Sequence, residues 1–235
     1  MNTVIRGYLL SYGYVFLCLF GAGRLSGMLN WTREMTRKCI HVSLAVTWLI
    51  LCRNLAGTVH MVIIPVTFVL LNYLSYRAGK YTSETVDKKS SLPAVMMGIM
   101  ERDGEAETPG TVYYAVSITL LSIGVIIFKE AGIFPSTVGM FCLAFGDGMA
   151  GIAGKYSRGL LANHIWGSKT YGGTLCCMVC SAAVCAVFLK QFGYPLSILQ
   201  IAGVGIAAGI LELPGKGIDN ITVPLGSALF AYCLM

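Results

Sequence analysis

A single carboxylate, Asp147, interrupts an apolar stretch in the second half of the chain. It stands in the segment AFGDGMAGIAGKYSRG, where glycines follow it before any cation appears. If the stretch is helical, Asp147, Gly151, Gly154 and Arg158 lie on one face, because three or four positions separate successive members. The two glycines leave no side chain between the carboxylate and the end of the helix. The pattern predicts a site for a bulky anion, joined to Asp147 by Mg²⁺ and neutralised by Lys155 or Arg158.

The same segment has a simpler structural interpretation. Gly146, Ala150 and Gly154 have the small-xxx-small spacing of packed membrane helices, in which case Asp147 only hydrogen-bonds to a neighbouring helix. The letters GDGMAG match the dinucleotide-binding pattern G-x-G-x-x-G, but they follow an apolar run and not a strand, which argues against that fold. The letters GSKT lack the earlier glycine of a Walker P-loop, which argues against a soluble NTPase.

Two further segments contribute cations. TRKCIHV places Arg37 and His41 four residues apart, with Lys38 beside them. Two cations and an imidazole suit a polyphosphate, and His41 could assist proton transfer from an alcohol; ordinary membrane anchoring is the alternative. NHIWGSKTYGGT puts Lys169 and Thr170 in a glycine-rich turn whose backbone amides could hold phosphate oxygens, unless it is only a polar linker.

The segment ELPGKGIDNITVPL supplies oxygen ligands near the start of the last apolar run. The carboxylates of Glu212 and Asp219 and the amide of Asn220 are ligand types that suit Mg²⁺. A capping Asp-Asn turn is the alternative explanation. The candidate metal ligands are therefore Asp147, Asp219 and Glu212.

The composition determines where these side chains must lie. Of the 235 residues, 56% are hydrophobic and 12% charged, and the mean hydropathy of +0.72 is too high for a water-soluble domain. Five stretches without charged residues come close to the length of about 20 residues that crosses a bilayer, namely 7–23, 54–76, 108–128, 170–189 and 191–211. Three more are weaker candidates: 39–52, which is short, 131–154, which Asp147 interrupts, and 220–235. We expect an all-α bundle of about eight transmembrane helices, forming a single integral membrane domain over residues 1–235.

Residues 77–107 form a long polar segment between two of these stretches. It carries eleven charged residues around an apolar patch, LPAVMMGIM, and is too short and too interrupted to span a bilayer. We expect a charged cytosolic loop here. It either lies along the membrane interface as a lid or lipid-access surface, or is a mobile loop.

The positive charges indicate the orientation of the helices, because Lys and Arg near the ends of membrane spans stay in the cytosol. Thirteen of the 17 lie in the loops after the first, third, fifth and seventh spans; the other four are Arg6, Arg53, Lys129 and Lys190. Ten of the 11 acids, all except Glu130, lie near the same face. We expect a cytosolic active site, both termini outside, and a bacterial plasma membrane, since no retention or transit signal is apparent.

Several of these segments resemble a known family. TRKCIH near the N-terminus, GDGMAGIAGK followed by GSKTYGGT, and IDNITVPL near the end resemble, in order and spacing, the polyprenol kinase family, which includes dolichol kinase, phytol kinase and the CTP-dependent diacylglycerol kinase. The resemblance covers residues 37–225. It implies a polytopic enzyme that transfers the terminal phosphate of CTP, or of another nucleoside triphosphate, to the hydroxyl of an isoprenoid alcohol or diacylglycerol.

The resemblance also implies roles for residues. The family's Arg-Lys pair, its Gly-Asp, its downstream glycine and its Lys-Thr fall here on Arg37 and Lys38, Gly146 and Asp147, Gly154, and Lys169 and Thr170. Dolichol-type members carry KTxEGT, whereas Gly172 stands at the Glu position here, closer to the small residue of phytol-type members. This departure puts a dolichol substrate in doubt.

A lipid-alcohol kinase needs charge neutralisation and alignment more than covalent catalysis. We expect Mg²⁺ as the cofactor, held by Asp147, with CTP as phosphate donor. Gly151 and Gly154 would allow close approach to the backbone, and Asp219 or Glu212 would hold a second metal or orient the acceptor. The expected phosphate contacts are Arg37, Lys38, Lys155 and Lys169.

Some alternatives stay open at this point. The general base is either His41 or Asp147. A CTP:phosphatidate cytidylyltransferase would also join CTP to a membrane lipid, but the chain lacks the long C-terminal signature rich in Asp and Arg expected there. A small membrane transporter with Asp147 as ion site is the alternative of a different class. The expected partners are a membrane lipid alcohol, a nucleoside triphosphate and the lipid bilayer, and not nucleic acid.

Overall fold

The fold is that of a computed structural model, which describes residues 2–82, 110–193, 196–215 and 217–235. The charged loop predicted at about 77–107 lies, beyond residue 82, outside the described residues. The helices are α1 (Thr3–Leu29), α2 (Arg33–Ser43), α3 (Ala45–Leu55), α4 (His60–Thr82), α5 (Gly110–Phe128), α6 (Glu130–Phe141), α7 (Gly148–Tyr156), α8 (Tyr171–Phe192), α9 (Ile198–Glu212) and α10 (Asp219–Cys233). A π-helical segment (Cys142–Asp147), a 3₁₀ turn (Gly159–Ala162) and two short strands, β1 (His164–Trp166) and β2 (Lys169–Thr170), complete the described elements.

Five of the described helical segments are long and apolar enough to cross a membrane. They are Thr3–Leu29, Glu34–Leu55, Gly110–Phe128, Glu130–Tyr156 and Tyr171–Phe188. The other three predicted stretches fall on α4, α9 and α10. The prediction of an all-α membrane bundle is therefore confirmed, while the number of eight spans stays a prediction.

Capping groups in the sequence define several helix ends. The Thr32 hydroxyl accepts a hydrogen bond from the Met35 amide, 3.3 Å away, at the start of α2. Ser197 and Gln200 form a reciprocal capping box at the start of α9. α1 ends at Leu29 and is followed by Asn30, whose φ of 50° is the left-handed conformation that terminates many helices. These contacts satisfy backbone groups that have no partner within their own helix.

The segment from α6 to α7 lies at the centre of the bundle. Buried residues make up 67% of its most apolar window, against 17% for α1. Its Phe141 belongs to an apolar cluster with Trp48 of α3, and its Val138 to a second cluster with Val204 of α9 and Val223 of α10. Asp147 therefore stands on the most enclosed of the candidate spans.

A π-helical segment joins α6 to α7, where the sequence predicted one uniform helix. The Gly148 amide donates to the Leu143 carbonyl, five residues back, instead of four. Insertions of this kind inside α-helices occur frequently at functional sites, because they re-aim side chains and backbone groups. Here the π-helical segment ends at Asp147, the carboxylate that the sequence singled out.

α7 is too short to contain the whole predicted helix face of Asp147, Gly151, Gly154 and Arg158, which we call the glycine stripe. It ends at Tyr156, and Arg158 beyond it has extended backbone angles, φ −134° and ψ 160°. The prediction that Arg158 shares a helix face with Asp147 is therefore wrong, because the chain has already left the helix. The chain then forms the antiparallel hairpin of β1 and β2, whose turn contains Gly167 at a left-handed φ of 54°. This hairpin is a small addition to the all-α architecture of the described residues.

A glycine allows α6 and α10 to pack closely. A Cβ atom added at Gly139 would overlap the carbonyl oxygen of Pro224 and lie 2.9 Å from the Cβ of Ala228. Small residues at helix crossings are typical of membrane bundles, where close packing drives association.

We expect Gly139→Ala to destabilise the protein by about 1–3 kcal/mol, because the new methyl group forces two backbones apart. The matched control is Gly13→Ala on α1, where an added Cβ meets nothing within 4 Å. The control should be neutral or slightly stabilising, since alanine favours helices over glycine. Thermal unfolding of the purified proteins in detergent measures both, and equal melting temperatures for the two variants would contradict the close crossing.

Candidate active site

The charged side chains of the predicted site come together at one end of the bundle. They are contributed by the middle of α2, the end of the π-helical segment, β2, the end of α9 and the start of α10. Except for the end of α9 and the start of α10, these elements are far apart in the chain, so helix packing determines which of their side chains meet.

Three carboxylates form the centre of this arrangement. Each of Asp147, Glu212 and Asp219 offers a ligand oxygen, and the three oxygens lie within 4.8 Å of one another. All three residues are buried, with no more than 4% of their surface exposed. Isolated buried carboxylates are costly, so such a cluster needs positive partners. The sequence proposed these three as metal ligands, and the structure brings them together.

Lys169 of β2 holds two of the carboxylates. Its Nζ donates to the carboxylate of Glu212 and to Oδ2 of Asp219, the latter at 2.7 Å. Burial alone would lower the pKa of Lys169, but the carboxylates of Asp219, Asp147 and Glu212 raise this pKa above its usual range. The Thr174 hydroxyl also donates to Glu212, at 3.2 Å. Lys169 therefore stays charged, and the end of α9 is tied to the start of α10.

Lys38 of α2 holds the third carboxylate. Its Nζ donates to Oδ2 of Asp147 at 2.8 Å and to the main-chain oxygen of the same residue at 3.0 Å. Both side chains are buried. The lysine passes over Gly151, where an added Cβ would lie 2.6 Å from the Lys38 Cε. The absence of a side chain at Gly151 therefore leaves room for Lys38 in this position.

The glycine stripe of α7 is covered, which corrects the expectation of an open path from Asp147 to the end of the helix. The side chain of Lys38 lies beside Gly151, and the Thr170 hydroxyl would lie 3.0 Å from a Cβ at Gly154. The physical reason is that α2 and β2 pack against α7 and fill the space that the missing side chains leave. A contact between these glycines and a phosphate group stays a prediction.

His41, one turn after Lys38 on α2, also lies close to Asp147. Its Nε2 is 2.9 Å from the Leu143 carbonyl and 3.4 Å from Oδ2 of Asp147. Because a carbonyl only accepts, this contact assigns the hydrogen to Nε2 and leaves the lone pair on Nδ1. The ring meets Tyr114 edge-on, with centroids 4.5 Å apart, and the Tyr114 hydroxyl donates to the His41 carbonyl at 3.1 Å. The imidazole is thus fixed in orientation beside the carboxylate.

The remaining predicted residues have different surroundings. Arg37 pairs with Glu34 one turn back on α2, its Nη2 lying 2.8 Å and 3.1 Å from the two carboxylate oxygens. Lys155 is exposed at the last turn of α7. The Thr170 hydroxyl accepts from the Gly173 amide at the start of α8. A Cβ at Gly146 would overlap the hydroxyl of Ser181 on α8, so the visible contact of Gly146 is helix packing.

The sequence did not single out Glu34, Thr174 or Tyr114. Thr174 belongs to the GSKTYGGT block, one turn after Thr170, and that spacing could have indicated it. Tyr114 and Glu34 had no comparable signal, because their contacts depend on how α2 and α5 pack.

Comparison of the sequence with known proteins identifies a relative of this chain. A curated phytol kinase of Synechocystis sp. is 32% identical to this chain over 208 residues, which are 85% of this chain and 78% of that protein. The chain belongs to the polyprenol and phytol kinase family. No family model matches the chain, and no solved structure matches it.

Membership in the phytol kinase family confirms the resemblance seen in the sequence. Together with the five apolar helices, it makes the protein an integral membrane enzyme of the lipid-alcohol kinase class. A transporter is not needed to explain the buried carboxylate.

We expect Lys38→Met to destabilise this kinase by about 3–5 kcal/mol, because it leaves the buried Asp147 carboxylate without its principal counter-charge. Adding Asp147→Asn to that variant removes the uncompensated charge and should restore part of the stability. The free energies of unfolding of the two single variants and the double variant, measured in detergent, give the coupling free energy between Lys38 and Asp147. Strictly additive losses would show that the two side chains do not interact energetically.

Proposed function

We propose that this chain transfers the terminal phosphate of CTP, or of another nucleoside triphosphate, to the hydroxyl of an isoprenoid alcohol of the phytol type. The single observation that carries the proposal is the buried cluster of three carboxylates and two lysines at one end of a membrane bundle. The phytol kinase relative supports the choice of acceptor. Gly172, at the position where dolichol-type members have Glu, supports it as well.

The carboxylate cluster fits Mg²⁺. Hard oxygen donors are the ligands that this ion prefers, at about 2.1 Å, so two ligands on opposite sides of one ion lie about 4.2 Å apart. The oxygens of Asp147, Glu212 and Asp219, within 4.8 Å of one another, need only a small adjustment. These three residues would hold the ion. When bound, Mg²⁺ would offset the negative charge of the phosphate groups.

The net charge of the cluster suits a metal-nucleotide complex. Three carboxylates and two ammonium groups leave one negative charge, which attracts a divalent cation and becomes one positive charge once that cation is bound. Lys38 and Lys169, which pair with these carboxylates, would then contact the phosphate groups. Arg37 and Lys155 are the further proposed phosphate contacts, and the glycines at 146, 151 and 154 and Thr170 the proposed backbone and hydroxyl contacts.

His41 is the better candidate for the general base. Its Nε2 hydrogen bond to Leu143 leaves Nδ1 to accept a proton. Asp147, by contrast, already accepts from Lys38 and is proposed to bind the metal. The site would face the cytosol of a bacterial plasma membrane, with both termini outside, because the loops at this end of the spans carry most of the positive charge.

The decisive assay offers the purified protein γ-labelled CTP or ATP, Mg²⁺ and a panel of phytol, geranylgeraniol, dolichol and diacylglycerol. We expect label on an isoprenoid alcohol and the nucleoside diphosphate as product. Asp147→Asn should lower the turnover at least about 100-fold, as expected for the loss of a transition-state electrostatic contact. Glu130→Gln, an exposed acid at the start of α6, is the matched control and should keep full activity.

Two results of this assay would overturn the proposal. Release of pyrophosphate instead of the nucleoside diphosphate would make the enzyme a cytidylyltransferase. Full turnover of Asp147→Asn would remove this carboxylate from the chemistry.

Metal binding can be measured separately from turnover. We expect Glu212→Gln and Asp219→Asn to raise the half-saturating Mg²⁺ concentration at least about tenfold, since even outer-sphere partners of a metal affect its affinity this much. Electron paramagnetic resonance of added Mn²⁺ with the nucleotide-free protein should show the same loss of binding. Wild-type Mn²⁺ affinity in both variants would place the ion elsewhere.

A further inference from the structure

A cavity of about 350 Å³ lies next to the carboxylate cluster, among α1 to α5 and the start of α10. Most of its wall is apolar, formed by residues such as Val15, Leu51, Ile64 and Ile118. Cavities that bind small ligands measure about 300–1,000 Å³, are mainly apolar, and have a few convergent polar groups. The roles proposed above for the carboxylates and the lysines do not explain why this cavity is present.

Three of the polar residues that line the cavity belong to α2 and to the start of α10, the elements that also contribute to the carboxylate cluster. They are Arg37, His41 and Asn220. His41 also lies 3.4 Å from Oδ2 of Asp147, and Asn220 directly follows Asp219 in the chain. The cavity and the carboxylate cluster therefore share a wall, and a ligand in the cavity can present one polar end to the cluster.

The Asn220 side chain supports a hydroxyl ligand at that end. Its Nδ2 donates to the Gly110 carbonyl at 3.2 Å, while its buried Oδ1 has no hydrogen-bond partner among the described residues. The opposite amide orientation is disfavoured, since it would set two oxygens against each other. A buried acceptor without a donor is costly unless a ligand supplies one. An alcohol O–H is such a donor.

Part of the cavity wall is exposed on two of the predicted membrane spans, 7–23 and 54–76. Phe16 of α1 and Leu71 of α4 line the cavity, yet they are 59% and 54% exposed. Both lie on apolar helices, where exposed surface faces hydrocarbon. A membrane-resident molecule can thus reach the cavity sideways, between α1 and α4, without passing through water.

We propose that this cavity binds the single hydrocarbon chain of the acceptor alcohol and places its hydroxyl between His41 and Asn220. Its volume, near the lower end for ligand cavities, suits one isoprenoid chain better than the two acyl chains of diacylglycerol. Asn220 is a positioning residue, which accepts the hydroxyl hydrogen bond and orients the oxygen. The inference rests on the proposed function and assigns the acceptor site of that reaction.

Atoms and charges balance in the phosphate transfer to an alcohol bound in this cavity. The alcohol oxygen forms a bond to the terminal phosphorus, and the bond from that phosphorus to its bridging oxygen breaks. The nucleoside diphosphate leaves with the electron pair of the broken bond. The hydroxyl proton goes to Nδ1 of His41 and then to solvent, so that the products are the lipid monophosphate, the nucleoside diphosphate and one proton.

The first test uses the wild-type protein and a phytol analogue with a diazirine at the end of its hydrocarbon chain. After illumination, we expect the label on peptides from α1, α3, α4 or α5 that line the cavity, and we expect unlabelled phytol to remove it by competition. Competable labelling on α8 or α9 instead would overturn the cavity assignment.

The second test changes the volume of the cavity. Ala115→Phe puts an aromatic ring into it, and Leu120→Phe adds a similar bulk on the same helix at a residue that is 42% exposed and does not line the cavity. We expect Ala115→Phe to lower kcat/KM for phytol at least about tenfold, with a smaller loss for ten-carbon geraniol and unchanged nucleotide binding. Leu120→Phe should resemble the wild type.

The outcomes distinguish the two proposals. Wild-type transfer to phytol together with an unchanged chain-length preference in a folded Ala115→Phe variant overturns the cavity and leaves the kinase proposal intact. Absence of transfer to every alcohol overturns the proposed function itself. If Ala115→Phe does not fold, the cross-linking of the wild-type protein still decides whether the cavity binds the chain.

Discussion

The structure depends on the need to pair charges that are buried inside a membrane bundle. Asp147 forms an ion pair with Lys38, and Lys169 forms ion pairs with Glu212 and Asp219. Leaving any of these charges unpaired would cost several kcal/mol. The partners come from elements up to 109 residues apart in the chain. The helix ends can therefore dock in only a few ways, and the arrangement that pairs the charges is also the one that gathers the carboxylates.

Close helix packing makes this pairing geometrically feasible. Gly151 leaves room for the Lys38 side chain, and Gly139 lets α6 approach α10, which begins with Asp219. The π-helical segment orients the Leu143 carbonyl, which holds His41 beside Asp147. Small residues thus serve two purposes here, since they strengthen helix association in lipid and they create the space that the charged groups need.

The polar cluster and the apolar cavity suit the two different substrates of a lipid-alcohol kinase. A nucleotide is soluble and highly charged, whereas an isoprenoid chain is neither, so no single environment can bind both. The bundle places the charged groups at one end and the cavity beside them, with His41 at the boundary. Chemistry at such a boundary needs alignment of two dissimilar substrates more than any new covalent intermediate.

The sequence by itself determined the helical class, the apolar stretches, and the acids and bases of the site, because hydropathy and residue type are local properties. It identified Asp147, Lys38, His41, Lys169, Glu212 and Asp219 one by one. Only the tertiary structure decided that Lys38 pairs with Asp147 while Arg37 pairs with Glu34, that the glycine stripe is covered, that Arg158 lies beyond the helix, and that a cavity adjoins the carboxylates. Periodicity defines the faces of a helix, but which faces meet depends on the packing of all the helices together.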